Sequence, residues 1–108
     1  MTTRYQIIYW RHIPAQLKIR AGSARLARNL SERFQEGIDE AAMRTGTTGT
    51  DAYLSAWRTS EWREQDGFPE AVADALALEL ENAYPPDRLS SLVRNGGYEP
   101  ETSTASKV

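Results

Sequence analysis

The spacing of apolar positions along the chain changes from two to four and then breaks up, and each change predicts an element. Tyr5-Gln6-Ile7-Ile8-Tyr9-Trp10 is dense in β-branched and aromatic residues and carries apolar side chains on both faces. That pattern predicts a strand covered on both sides. Arg11-His12-Ile13-Pro14 reads as a connection, because Pro14 has no N–H and belongs at a turn or a strand start. From Ala15 to Arg20 the pattern alternates: Ala15, Leu17 and Ile19 point one way, Gln16, Lys18 and Arg20 the other. This predicts a half-exposed strand antiparallel to the first. After Ala21-Gly22-Ser23, with Ser23 as an N-cap, the spacing becomes four: Leu26, Leu30, Phe34 and Ile38, flanked by Ala27, Ala41 and Ala42. A single helix over 24–44, about 32 Å long, is predicted.

Gly46 stops that helix, and Asp51 is read as the cap of a short helix over 52–58 that presents Tyr53, Leu54 and Trp57. Residues 59–64, with Trp62 between polar neighbours, are the candidate third strand, and Gln65-Asp66-Gly67 a turn. Pro69 opens a helix through Tyr84 with Val72, Leu76, Leu80 and Tyr84 spaced by four. Pro85-Pro86 breaks it, and a last helix runs to Arg94 before Asn95-Gly96-Gly97. The predicted class is α+β: a small antiparallel sheet of two strands, or three with 59–64, and helices packed on one face, in the order β-β-α-α-(β)-α-α. One globular domain is expected over 1–97. Residues 98–108, polar and rich in Thr and Ser, are expected to be a disordered tail.

Composition narrows the chemistry. The chain has no cysteine and one histidine. Disulfides, thiolate metal sites and multi-histidine metal sites are therefore excluded. No catalytic set, metal or cofactor is expected. Gly46-Thr47-Thr48-Gly49-Thr50 precedes a helix but lacks the lysine of a phosphate loop, and Asp51 stands where an anion would sit. The serines have no nucleophile-elbow context. There is no signal-peptide pattern and no apolar stretch of membrane-crossing length, so a cytoplasmic, soluble protein is expected.

The formal net charge of -2 conceals an asymmetry: residues 1–31 carry Arg4, Arg11, Lys18, Arg20, Arg25 and Arg28 with no acid, which leaves -8 for the remainder. Either the two halves neutralise one another on packing, or the basic segment forms a face for an anionic partner. A pI near 5.4 argues against nucleic acid as that partner. The dipeptide Trp-Arg occurs at Trp10-Arg11, Trp57-Arg58 and Trp62-Arg63. Both residue types are enriched at binding hot spots, although tryptophan also supplies core volume in a chain with two phenylalanines. The candidate binding residues are Trp10, Arg11, His12, Arg33, Arg44, Trp57, Arg58, Trp62 and Arg63. Two functions follow. One is a non-enzymatic adaptor that binds a larger protein. The other is a binder or enzyme for a small anionic ligand such as a folate, with Arg11 and His12 at the mouth of a pocket lined by Tyr9, Trp10 and Phe34.

The stretches 5–16, 30–36 and 38–44, with Thr50-Asp51-Ala52-Tyr53-Leu54 and Trp57, resemble a small bacterial family labelled "virulence factor". The likeness spans residues 4–94 and extends to the C-terminal domain of longer conserved virulence proteins. It carries no catalytic residues. Small members of that family resemble genes beside folate- and corrinoid-dependent methyl-transfer genes, which implies an accessory role in one-carbon metabolism.

Overall fold

In the computed structural model, which describes residues 2–99, β1 (Thr2–Trp10) and β2 (Ile13–Ala21) form an antiparallel hairpin, as their patterns predict. Pro14 lies inside β2, at a register shift that sets Ile8 opposite Gln16 and Tyr9 opposite Pro14. The strand tolerates proline there because a bulge already interrupts the ladder.

Beyond β2 the expectation fails. The predicted helix over 24–44 divides into a strand, β3 (Ala24–Asn29), and a shorter helix, α1 (Glu32–Arg44). Gly22, at φ 60°, turns the chain in two residues, so that Ala21 faces Ala24 and β3 returns along β2. Ser23 is therefore a turn residue, and Ser31 precedes the helix instead. Leu26 stands four residues before Leu30 by coincidence, since it is an inward strand position opposite Ile19. An edge strand with Ala and Arg on both faces has little alternation to reveal it. Its sequence also favours helix, which pairing with β2 overrides.

A second departure follows α2 (Asp51–Ser55), whose N-cap is Thr50, not Asp51. Trp57 and Arg58 leave the helix and enter β4 (Trp57–Thr59), and β5 is Arg63–Asp66. The expected strand over 59–64 is thus two strands joined by a loop that holds Trp62. β4 pairs with β1 at Ile8–Trp10 and β5 with β1 at Thr2–Tyr5, along the same edge. Among the described residues the sheet has five antiparallel strands, not two or three, and the element order is β-β-β-α-α-β-β-α-α. The α+β class holds. α3 (Pro69–Ala83) and α4 (Pro86–Arg94) lie close to their predicted spans.

Two apolar clusters hold these layers together. Tyr5, Ile7, Leu17, Ile19 and Leu26 share one sheet face by register, and α3 covers it with Val72, Ala73 and Leu76. At the other end Trp10 and Ile13 pack with Leu30, Phe34, Ile38, Ala41 and Ala42 and with Leu89, Leu92 and Val93 of α4. Ala77 and Leu80 touch both clusters. α4 approaches α1 at Gly37, where an added Cβ would meet Val93 at 3.2 Å. The chain stays on the body through Glu99, and the rest of the expected tail, residues 100–108, lies outside the described residues.

Candidate functional site

Tryptophan and arginine meet in two places. The first is the β1–β2 hairpin tip. Trp10 is fully buried, and its indole N–H donates to the Tyr53 carbonyl at 3.0 Å. Arg11 stands at φ 55°, a left-handed conformation that costs a non-glycine residue about 1–2 kcal/mol. Several contacts hold it there. Its backbone N–H donates to the Ala56 carbonyl, and its carbonyl accepts from Arg58 Nε. Its guanidinium lies between the rings of Trp10 and Tyr98, at 4.7 and 4.8 Å, and donates to the Gly96 carbonyl at 2.7 Å. The His12 backbone N–H donates to the Gly97 carbonyl, while His12 Nδ1 accepts from the Glu99 N–H at 2.8 Å. Gly97 must be small, because a Cβ there would come within 2.9 Å of the Trp10 ring.

Other candidates are likewise engaged. Trp57 stands opposite Trp10 and packs edge-on against Tyr53. Arg58 lies 4.5 Å over Tyr9. Arg33 pairs with Glu81 at 3.1 Å, and Arg44 with Glu40 one helical turn away at 3.2 Å. Burial opposes ionisation of Glu81, but hydrogen bonds from the Ser31 N–H and hydroxyl and the nearby Arg33 guanidinium outweigh it and hold the carboxyl below the ordinary glutamate range. Glu81 thereby anchors the start of α1. The pocket expected between Tyr9, Trp10 and Phe34 is filled, since Trp10 and Phe34 are closed to solvent. A polar groove of ≈ 530 Å³ does open beside it, where His12, Arg58 and Arg63 meet Tyr9, Tyr84 and Glu99. Burial raises the Tyr84 phenol above its usual range, and neighbouring Tyr9 adds to that.

The second place is the sheet face that α3 leaves uncovered. Arg4 stands opposite Arg20, and Arg20 opposite Arg25, so three guanidinium side chains share one cross-strand row. Lys18 lies in the next row, beside Gln6 and Ala27. Arg4, Lys18, Arg20 and Arg25 are all exposed. Like charges in directly opposed positions destabilise a sheet, yet no ion pair forms in this row among the described residues. Among the described residues ion pairs form at Arg28, Arg33, Arg44 and Arg88, and at none of these four. Glu64 stands opposite Arg4 on the far side, without reaching it. Trp62 folds from the β4–β5 loop onto the row, with Arg20 5.1 Å and Arg4 5.4 Å from its ring centre. Its indole helps to line a shallow ≈ 300 Å³ depression with Lys18, Arg20, Arg25 and Ala27.

Of the nine candidates from the sequence, then, the tip gathers Trp10, Arg11, His12, Trp57 and Arg58. Trp62 stands apart from them, about 20 Å along β1. Arg63 lies next to Trp62 in sequence but faces the groove rather than the row. Arg4, Lys18, Arg20 and Arg25 were not among the candidates. The acid-free stretch through Ser31 and the outward alternation of Lys18 and Arg20 carry their signal. Among the described residues no cluster of three metal-ligating side chains occurs, and no helix is long and apolar enough to cross a membrane.

No curated protein and no solved structure matches the chain. A family model does match, over residues 8–93, which takes in the end of β1, all of β2 and β3 with Lys18, Arg20 and Arg25, Trp62, α1 to α3 and α4 as far as Val93. On that match the chain belongs to the family described as "Virulence factor".

Proposed function

We propose that the protein is a non-enzymatic accessory module that docks a partner protein by gripping an acidic segment on the open sheet face. One observation carries this reading: the exposed side chains of Arg4, Arg20 and Arg25 stand in register, without ion pairs among the described residues, and Trp62 lies against Arg4 and Arg20. Of the other eight arginines, Arg28, Arg33, Arg44 and Arg88 pair with Asp74, Glu81, Glu40 and Glu99, and Arg11 and Arg58 are engaged by backbone carbonyls and aromatic rings. An uncompensated row is a standing electrostatic cost that an anionic partner removes. Trp62 supplies the apolar anchor such a contact needs. The overall acidity of the chain favours a protein segment over nucleic acid, since the remaining surface would repel an extended polyanion. The resemblance to genes beside methyl-transfer genes points to that metabolism for the partner.

Titration of a fluorescent glutamate-rich peptide, read by anisotropy, tests the reading. Binding is expected to weaken with salt, and Arg20→Glu with Arg25→Glu to reduce affinity at least about tenfold. Arg44→Glu, whose residue is already paired within α1, should leave it unchanged. Equal binding by the double variant, or tighter binding of a single-stranded oligonucleotide than of the peptide, overturns the proposal.

A further inference from the structure

We infer that the acidic segment binds in extended form, as a sixth strand along the free edge of β3; this rests on the docking role of the open face proposed above. In the sheet order β3-β2-β1-β4, β3 is terminal and, among the described residues, pairs with β2 alone. Its backbone phase follows from the turn. A two-residue hairpin closes on a hydrogen-bonded pair, here Ala21 with Ala24. Ala24, Leu26 and Arg28 therefore direct their N–H and C=O groups at β2. Arg25, Ala27 and Asn29 direct theirs outward, and among the described residues none of those groups has a backbone partner from a turn or loop. β3 contains no proline, and its pairing with β2 runs without a bulge. Two of the usual devices that blunt an edge are thus absent.

The third device, charge, selects the occupant. Arg25 lies on the open face of this edge, whereas Arg28, on the other face, is already paired with Asp74. A second copy of the chain would bring one arginine-bearing edge against another. An acidic strand meets Arg25 with the opposite sign. Its side chains beside Arg25 and Ala27 would fall on the open face, next to Lys18, Arg20 and the Trp62 depression. Its intervening side chains would lie by half-buried Leu26. Backbone hydrogen bonds then supply affinity, and the alternate acidic side chains supply selection.

A labelled peptide of about eight residues, alternating glutamate and threonine, separates this inference from simple charge attraction. Two N-methylated forms are made, one blocking the N–H groups of the odd residues and one those of the even residues. Strand addition predicts that one form binds about tenfold more weakly and that the other binds as the parent does. Amide exchange in the intact protein should slow at Arg25, Ala27 and Asn29 on binding of the parent peptide. If both methylated forms bind like the parent and still lose affinity with Arg20→Glu and Arg25→Glu, strand addition is wrong and the charged face stands. If the parent peptide does not bind the wild-type protein, or the double variant binds it equally, both readings fall.

Discussion

The hairpin tip and the open face use the same two residue types and differ in how far the fold engages them, although Arg11 Nε at the tip is buried without a hydrogen-bond partner among the described residues. At the tip, Arg11 lies between two aromatic rings and hydrogen-bonds to Gly96, and Trp10 is sealed in the core with its N–H paired. These contacts tie the β1–β2 turn to the loop after α2 and to residues 96–99. On the open face, Trp62 also stacks with two guanidinium groups, but those groups are exposed, of like sign and without ion pairs among the described residues. An arginine over a tryptophan is therefore not a functional signature in itself. The discriminating feature is charge and hydrogen bonding left over after the fold is complete, because only the remainder is available to a partner.

That contrast can be broken by mutation, beginning at the tip. Trp10→Ala should cost about 3–5 kcal/mol, from the lost burial, the cavity and the orphaned Tyr53 carbonyl. Urea denaturation followed by circular dichroism will show it as a large fall in midpoint, and a loss below about 1 kcal/mol would remove Trp10 from the core role assigned to it. Arg11→Ala should cost about 2 kcal/mol, because alanine keeps the left-handed backbone and loses both the stacking and the Gly96 bond. Arg11→Gly should cost about 1 kcal/mol less than alanine, since glycine takes φ 55° without steric penalty. Equal losses for the two variants would show that the backbone conformation at Arg11 contributes little. On the open face, Arg20→Ala and Trp62→Ala should each shift stability by no more than about 0.5 kcal/mol, in either direction. A Trp62→Ala variant that unfolds would make this face a second structural clamp and erase the difference between the regions.

The legible parts of this fold were those in which one face is buried and the other exposed. β2 alternates cleanly, and α3 and α4 carry both spacing and proline starts, so each lies close to its predicted span. β3 was illegible because Ala, Arg, Leu, Ala, Arg and Asn suit a helix as well as an edge strand, and only the proximity of β2 decides between them. For the site, the acid-free run through Ser31 was visible, but not its destination. Reading residues 24–29 as helix placed Arg25 on a helical surface and separated it from Arg20. One misassigned strand therefore hid the row. The Trp-Arg dipeptides drew attention to Trp62 for a sound reason and to Trp10 by the same rule, although burial sets the two apart.

The amino-acid sequence by itself determined what chemistry this protein has to work with: no thiol, one imidazole, and a basic N-terminal third without acids. These are properties of side chains and survive any folding. It also determined the elements whose apolar periodicity is strong. Only the tertiary structure decided that Arg4, Arg20 and Arg25 stand abreast while Arg28, three residues beyond Arg25, pairs with Asp74. Strand register is the physical reason: successive side chains leave a strand on opposite faces, and cross-strand neighbours are fixed by a turn whose type depends on two residues.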